Sequence, residues 1–185
     1  MKLKLIPLFV LIQLMSYAQS KVENTHFNRL QELKGTEYVV ASVETWTKLI
    51  ETTNRYLLFI NTKTGEKNTV EFPAGGSIGT IEHVKIDALG INLVLVSTRS
   101  VDLDGKSGIN WNDPTQLVIL SIDGKTKTQL TENAFFARTW VINQQTGVLI
   151  ITGHSDTNKN NKFDKYDLSE ILMYDLKTLL KISQI

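Results

Sequence analysis

The chain has 185 residues, with 20 Lys and Arg against 19 Asp and Glu, a formal charge of +1, and no cysteine. So even a balance excludes the strongly basic surface that nucleic acid or an anionic bilayer attracts, and the missing thiols exclude disulfides and anchoring through a lipidated cysteine. The length suits one domain with a sizeable core.

The opening segment, "MKLKLIPLFVLIQLMSYAQS" (1–20), has the layout of a secretion signal. Lys2 and Lys4 form a basic start, and Leu5 to Met15 is apolar. That run is shorter than the about 20 residues a spanning helix needs. Ser16 and Ala18 are the small residues that signal peptidase reads, so cleavage is expected after Ala18 and the protein is expected in the periplasm or outside the cell. Removing residues 1–18 takes away two lysines, moves the formal charge from +1 to −1, and leaves residues 19–185 as a single domain. No later stretch is apolar for long enough to cross a membrane.

Next comes "HFNRLQELK" (26–34), an ambiguous piece in which Phe27, Leu30 and Leu33 fall at helical spacing, so that a short helix is one of its readings. Everything after it reads as strand. "EYVVASVETW" (37–46), "RYLLFINT" (55–62), "EHVKID" (82–87), "INLVLVST" (91–98), "QLVILSI" (116–122), "RTWVIN" (138–143), "GVLIITG" (147–153) and "EILMYDL" (170–176) are short, rich in β-branched and aromatic residues, and bounded by turn formers.

The strands repeat in order. "YLLFINTKTGEKNTVEF" (56–72), "QLVILSIDGKTKTQL" (116–130) and "EILMYDLKTLLKISQI" (170–185) share one layout of apolar strand, polar turn and second short strand. Each follows another apolar strand and a polar loop, so one unit reads as four antiparallel strands. A tandem array of such units resembles a β-propeller. The pattern of strand, "DGKT" or "KTGE", then short strand resembles TolB-like propeller blades over residues 37–185. The resemblance implies an all-β fold of about three blades. Closed propellers typically have four or more, so the expectation is an open arc, or a ring completed by a second copy in a homodimer. The alternative is a β-sandwich of the same strands.

Two loops carry ligand chemistry. In "DTNKNNKFDKYD" (156–167), oxygen-bearing side chains fall at positions 1 (Asp156), 3 (Asn158), 5 (Asn160), 9 (Asp164) and 12 (Asp167). Lys162 stands at position 7, where only a carbonyl oxygen is used, and apolar Phe163 at position 8. Calcium takes six to eight oxygens at about 2.3–2.6 Å, and this is the spacing of a twelve-residue calcium loop. The run resembles EF-hand and dockerin loops, set here between strands. Asn161 replaces the glycine of position 6, and Asp167 is a shorter reach than glutamate, so binding is expected to be weak, on the order of 10⁻⁴–10⁻³ M. In the preceding repeat, "DLDGKSGINWND" (102–113) places Asp102, Asp104, Asn110 and Asp113 at positions 1, 3, 9 and 12, with Ile109 at position 8. Lys106 takes position 5, which costs a ligand and adds a cation. The matching loop of the first repeat, "SVETWTKLIETT" (42–53), lacks the pattern.

Catalytic signals are sparse. "GGSIG" (75–79) fits the nucleophile-elbow pattern, but that turn needs a strand before Ser77 and a helix after it. Here Pro73 precedes and a strand follows, so a flexible connection between two units is the expectation. His26, His83 and His154 have no zinc spacing. Trp46 and Trp111 fall in inter-strand loops, where exposed aromatic rings suit sugar or protein contacts. The expected function is non-catalytic binding of protein or glycan through the loop face, with calcium in a structural role. The alternative is a hydrolase whose acidic residues the sequence does not single out.

Overall fold

The computed structural model describes residues 24–47 and 50–185. The expected signal segment and its cleavage point lie outside these residues. The described chain is all-β apart from a single 3₁₀ turn at Asp87–Leu89.

Three four-stranded antiparallel meanders follow one another. The first holds β1 (Asn24–Glu32), β2 (Tyr38–Thr47), β3 (Ile50–Asn61) and β4 (Lys67–Glu71). The second holds β5 (Ser77–Ile86), β6 (Ile91–Arg99), β7 (Gln116–Leu120) and β8 (Lys127–Gln129). The third holds β9 (Phe135–Asn143), β10 (Val148–Ser155), β11 (Leu168–Asp175) and β12 (Leu180–Gln184). Three sheets in tandem make an open propeller-like arc, not the two facing sheets of a sandwich.

Residues 26–34 are not helical. They form most of β1, with Leu30 opposite Ala41 and Glu32 opposite Val39. Pairing with β2 outweighs the helical spacing of Phe27, Leu30 and Leu33, a case of tertiary context overriding a weak local preference. This strand supplies the first blade with its fourth member. Phe27 and Leu30 stay exposed while Leu33, just past the strand, is fully buried.

The unbroken apolar runs mark the middle blade. A strand covered on both faces needs no polar alternation. In β6, Val94 and Val96 pack toward blade 1 while Leu93 and Leu95 pack toward blade 3; in β7, Val118 and Leu120 face one way and Leu117 and Ile119 the other. The core therefore lies in two layers. Leu57, Phe59, Val70 and Phe72 fill the first from blade 1. Ile142, Leu149, Ile151, Leu172 and Tyr174 fill the second from blade 3. Blade 3 has only one covered face, so β11 alternates: Leu172 and Tyr174 are buried, Ile171 is exposed and Met173 half-buried.

The third-to-fourth strand turns of blades 1 and 3 share one device. Asn61 Oδ1 accepts the N–H groups of Lys63 and Thr64 at 2.9 and 3.1 Å. Asp175 Oδ1 does the same for Lys177 and Thr178 at 2.7 and 3.3 Å. Self-bonding of Asn and Asp side chains is what suits them to turns. The left-handed residue that closes the turn is Gly65 in blade 1 but Leu179 in blade 3, at φ 60°.

Polar bonds tie the blades together. Asn68 Nδ2 donates to the Asp123 carbonyl at 2.9 Å, and Lys127 Nζ to the Glu71 carbonyl at 2.9 Å. The "GGSIG" run is part of this framework and not a flexible connection. Ser77 opens β5 opposite Arg99, and its carbonyl accepts the Thr98 hydroxyl at 2.8 Å. A Cβ on Gly76 would meet the carbonyl oxygens of Arg99 and Pro73 at 2.8 Å each. A strand stands where the nucleophile elbow requires a helix, so the hydrolase geometry is not built here.

Candidate metal loops and the cleft between them

Both candidate loops occupy the same corner of their blades, the connection from second to third strand. Residues 100–115 join β6 to β7, and residues 156–167 join β10 to β11. In blade 1 the strands run almost to the corner, with Thr47 paired to Ile50. Trp46 therefore sits on β2 rather than in a loop, half-turned to solvent, its ring edge-on to His26 at 5.8 Å.

Positions 3, 9 and 12 make the same side-chain-to-backbone bonds in the two long loops. The carboxylate at position 12 takes the N–H groups of positions 2 and 9. Asp113 accepts from Leu103 at 2.9 Å and Asn110 at 2.7 Å, and Asp167 accepts from Thr157 at 3.2 Å and Asp164 at 2.8 Å. The side chain at position 3 takes the N–H of position 5: Asp104 from Lys106 at 2.8 Å, Asn158 from Asn160 at 3.1 Å. The side chain at position 9 takes that of position 11: Asn110 from Asn112 at 3.0 Å, Asp164 from Tyr166 at 2.7 Å. Positions 4 and 6 are left-handed in both, as Gly105 and Ser107 in one and Lys159 and Asn161 in the other. Asparagine at position 6 adopts the conformation for which glycine is usual.

The loops differ in how they hold their carboxylates. Asp102, Asp104 and Asp113 each bring an oxygen within 4.8 Å of the others. Asp102 Oδ1 is buried and has no hydrogen-bond donor. A buried carboxylate oxygen without a donor is costly unless a positive charge meets it, so this donor set fits a hard cation. Lys106 contributes only its backbone N–H here, its side chain being exposed. Asn110 turns its amide nitrogen to the Gly108 carbonyl at 2.9 Å.

Among the described residues Asp156, Asp164 and Asp167 form no such triad. Asp156 spends one oxygen on the Asn160 N–H at 3.0 Å and the other on that of Asn161 at 2.8 Å. Asn158 and Asn160 both turn their amide nitrogens to Asp164 Oδ2, at 3.1 and 2.6 Å. Half-turns of those amides would present oxygen instead. The Tyr166 N–H, the two asparagines and nearby Lys165 together hold the Asp164 carboxyl below the usual aspartate range. Lys162 is exposed and its N–H donates to Asn160 Oδ1 at 2.9 Å.

The residue at position 8 pins each loop. Phe163 has His154 at 4.7 Å, Phe136 at 6.0 Å and the Arg138 guanidinium at 4.4 Å from its ring centre. Ile109 is half-buried and lies beside Gly75. Between the loops opens a cleft of about 620 Å³. Arg99, Trp111 and Asp113 line it from blade 2, and Arg138, Lys162 and Phe163 from blade 3. Sequence reasoning singled out Trp111 but not the arginines. They flank the loops as the last residue of β6 and the fourth of β9, and only the packing of two blades brings them to one cleft.

No protein-family model matches the sequence. No curated protein matches it. Among solved structures, Pyrococcus horikoshii acylaminoacyl peptidase is similar at a TM-score of 0.47 and 10% identity, over 88% of this chain and 25% of that one. A mutant Synechocystis apocarotenoid oxygenase is similar at 0.38 and 12% identity, over 88% of this chain and 38% of that one. The cobalt-substituted form of that oxygenase gives 0.38 and 11%, over 88% and 37%. The chain thus spans a quarter of the peptidase and less than two-fifths of the oxygenases. Likeness at this level says nothing of shared chemistry.

Proposed function

We propose that the protein is an exported binding module in which calcium sets the corner loops of blades 2 and 3, and that the loop face docks a protein or glycan. The observation that carries this is the donorless, buried Asp102 Oδ1 within a three-carboxylate cluster. The repeated bonding of position 12 supports it. On this reading 102–113 is the better preformed site, and 156–167 gathers its ligands as the ion binds. The ion's part is architectural: it joins oxygens of residues that are distant along the loop. Asp102, Asp104 and Asp113 would hold one ion; Asp156, Asn158, Asn160, Asp164, Asp167 and the carbonyl of Lys162 would hold the other.

The outward face of blade 3 supports pairing with a second copy. Val141 is 60% exposed and lies opposite half-buried Ile150, which lies opposite Met173. Among the described residues no helix is long and apolar enough to cross a membrane.

Melting curves with and without calcium test the reading. At an ion concentration ten times a dissociation constant of about 10⁻⁴ M, mass action adds roughly 1.4 kcal/mol, or about 3–6 °C for a domain of this size. The rise is expected in the wild type and diminished in Asp102→Asn with Asp104→Asn. An unchanged wild-type melting temperature refutes it.

A further inference from the structure

The cleft between the loops has a chemistry of its own. Arg99, Arg138 and Lys162 line it, and among the described residues none of the three is paired with a carboxylate. Arg99 makes one bond, from Nε to the Asp113 carbonyl at 3.3 Å. Among the described residues its outer guanidinium nitrogens have no acceptor. Arg138 lies on the Phe163 ring and has no side-chain hydrogen-bond acceptor among the described residues. Trp111 is 81% exposed and among the described residues touches no other ring. Each arginine is held by one loop: Arg99 by position 12 of the first, Arg138 by position 8 of the second.

We propose that this cleft binds a carboxylated oligosaccharide, its uronate group taken by Arg99 and Arg138 and a sugar ring stacked on Trp111. The site rests on the reading of the loop face as a binding surface. The planar guanidinium fork matches a carboxylate, and an exposed indole suits the apolar face of a pyranose. Asp104 and Asp113 share the lining. Even with a divalent ion held, the three carboxylates of that loop keep a net negative charge, which opposes a doubly charged phosphate more than a singly charged carboxylate. The volume falls within the roughly 300–1,000 Å³ that encloses small ligands.

The test is calorimetric titration of the mature chain with a tetrasaccharide of alternating glucuronate and N-acetylglucosamine. Controls are its carboxyl methyl ester and a triglutamate peptide. Binding of the acid form is expected, weakened at least tenfold by Arg138→Gln and by Trp111→Ala, with the ester at least tenfold weaker. No binding, equal binding of the ester, or triglutamate binding as tightly with Trp111→Ala silent would each overturn it. Both variants change exposed side chains, and their far-ultraviolet spectra report folding. Melting curves of the same samples separate the two readings. A calcium shift without sugar binding sinks the cleft and leaves the loops; sugar binding without a calcium shift supports the cleft and sinks the loops.

Discussion

Asp113 and Asp167 do the same work in successive blades. Each spans its loop by accepting the N–H of the second residue with one oxygen and that of the ninth with the other. The two loops are identical only at positions 1 and 12; what the bond set needs is a carboxylate at position 12 and left-handed residues at 4 and 6. The position-12 carboxylate thus shapes the loop through backbone bonds, whereas Asp102 Oδ1 is buried with no donor among the described residues.

That division predicts two different mutants. Asp113→Ala strands the N–H groups of Leu103 and Asn110, so it should cost about 1–3 kcal/mol even in chelator. Asp102→Asn should leave the chelated protein near wild-type stability and diminish the calcium response. Denaturant titration of both variants, with calcium and with chelator, checks the contrast.

Blades 2 and 3 meet at a buried hydrogen bond, from the Tyr174 hydroxyl to the Leu130 carbonyl at 2.8 Å. Tyr174→Phe should lose about 1 kcal/mol, the usual net worth of such a bond. Burial, and secondly the charge of Glu132, push the Tyr174 phenol above its ordinary range. Absorbance titration should show one late-ionising tyrosine in the wild type that is missing from the variant.

Asp123 sits in the "DGKT" turn. Burial raises its carboxyl, but the Ser121 hydroxyl at 2.6 Å, the Lys125 N–H at 3.1 Å and the Lys125 ammonium outweigh that and lower it. A lowered folded value stabilises above the unfolded one, about 3.9, and the gain is lost as pH falls through the folded value. Stability should therefore fall in acid below about pH 5, and Asp123→Asn should flatten that limb.

Gly76 admits no side chain, since two backbone oxygens stand 2.8 Å from where a Cβ would be. Gly76→Ala should cost about 1–3 kcal/mol by overpacking, while Ser77→Ala, with the hydroxyl outside the Thr98 bond to the Ser77 carbonyl, should cost far less. A nucleophile at Ser77 would give the opposite ranking in any assay of hydrolysis.

Much of the arc was legible because strands covered on both faces read as unbroken apolar runs and half-covered ones alternate. "INLVLVST" and "EILMYDL" show the two cases. The correspondence of the two corner loops was legible too, since the spacing of their Asp and Asn residues is a local property. β1 was not: its apolar residues carry helical spacing, and only pairing with β2 decides their form. Trp46 was misplaced because nothing local shows that the first corner is tight. The arginine pair was illegible, as Arg99 and Arg138 meet through blade packing.

Terbium luminescence tests the central claim most directly, because Trp111 stands between Asn110 and Asn112 within the first loop and can pass excitation to an ion held there. Excitation of tryptophan should give terbium emission that calcium displaces, and that Trp111→Phe or Asp102→Asn with Asp104→Asn abolishes. No sensitised emission, or emission that calcium leaves unchanged, would contradict the account.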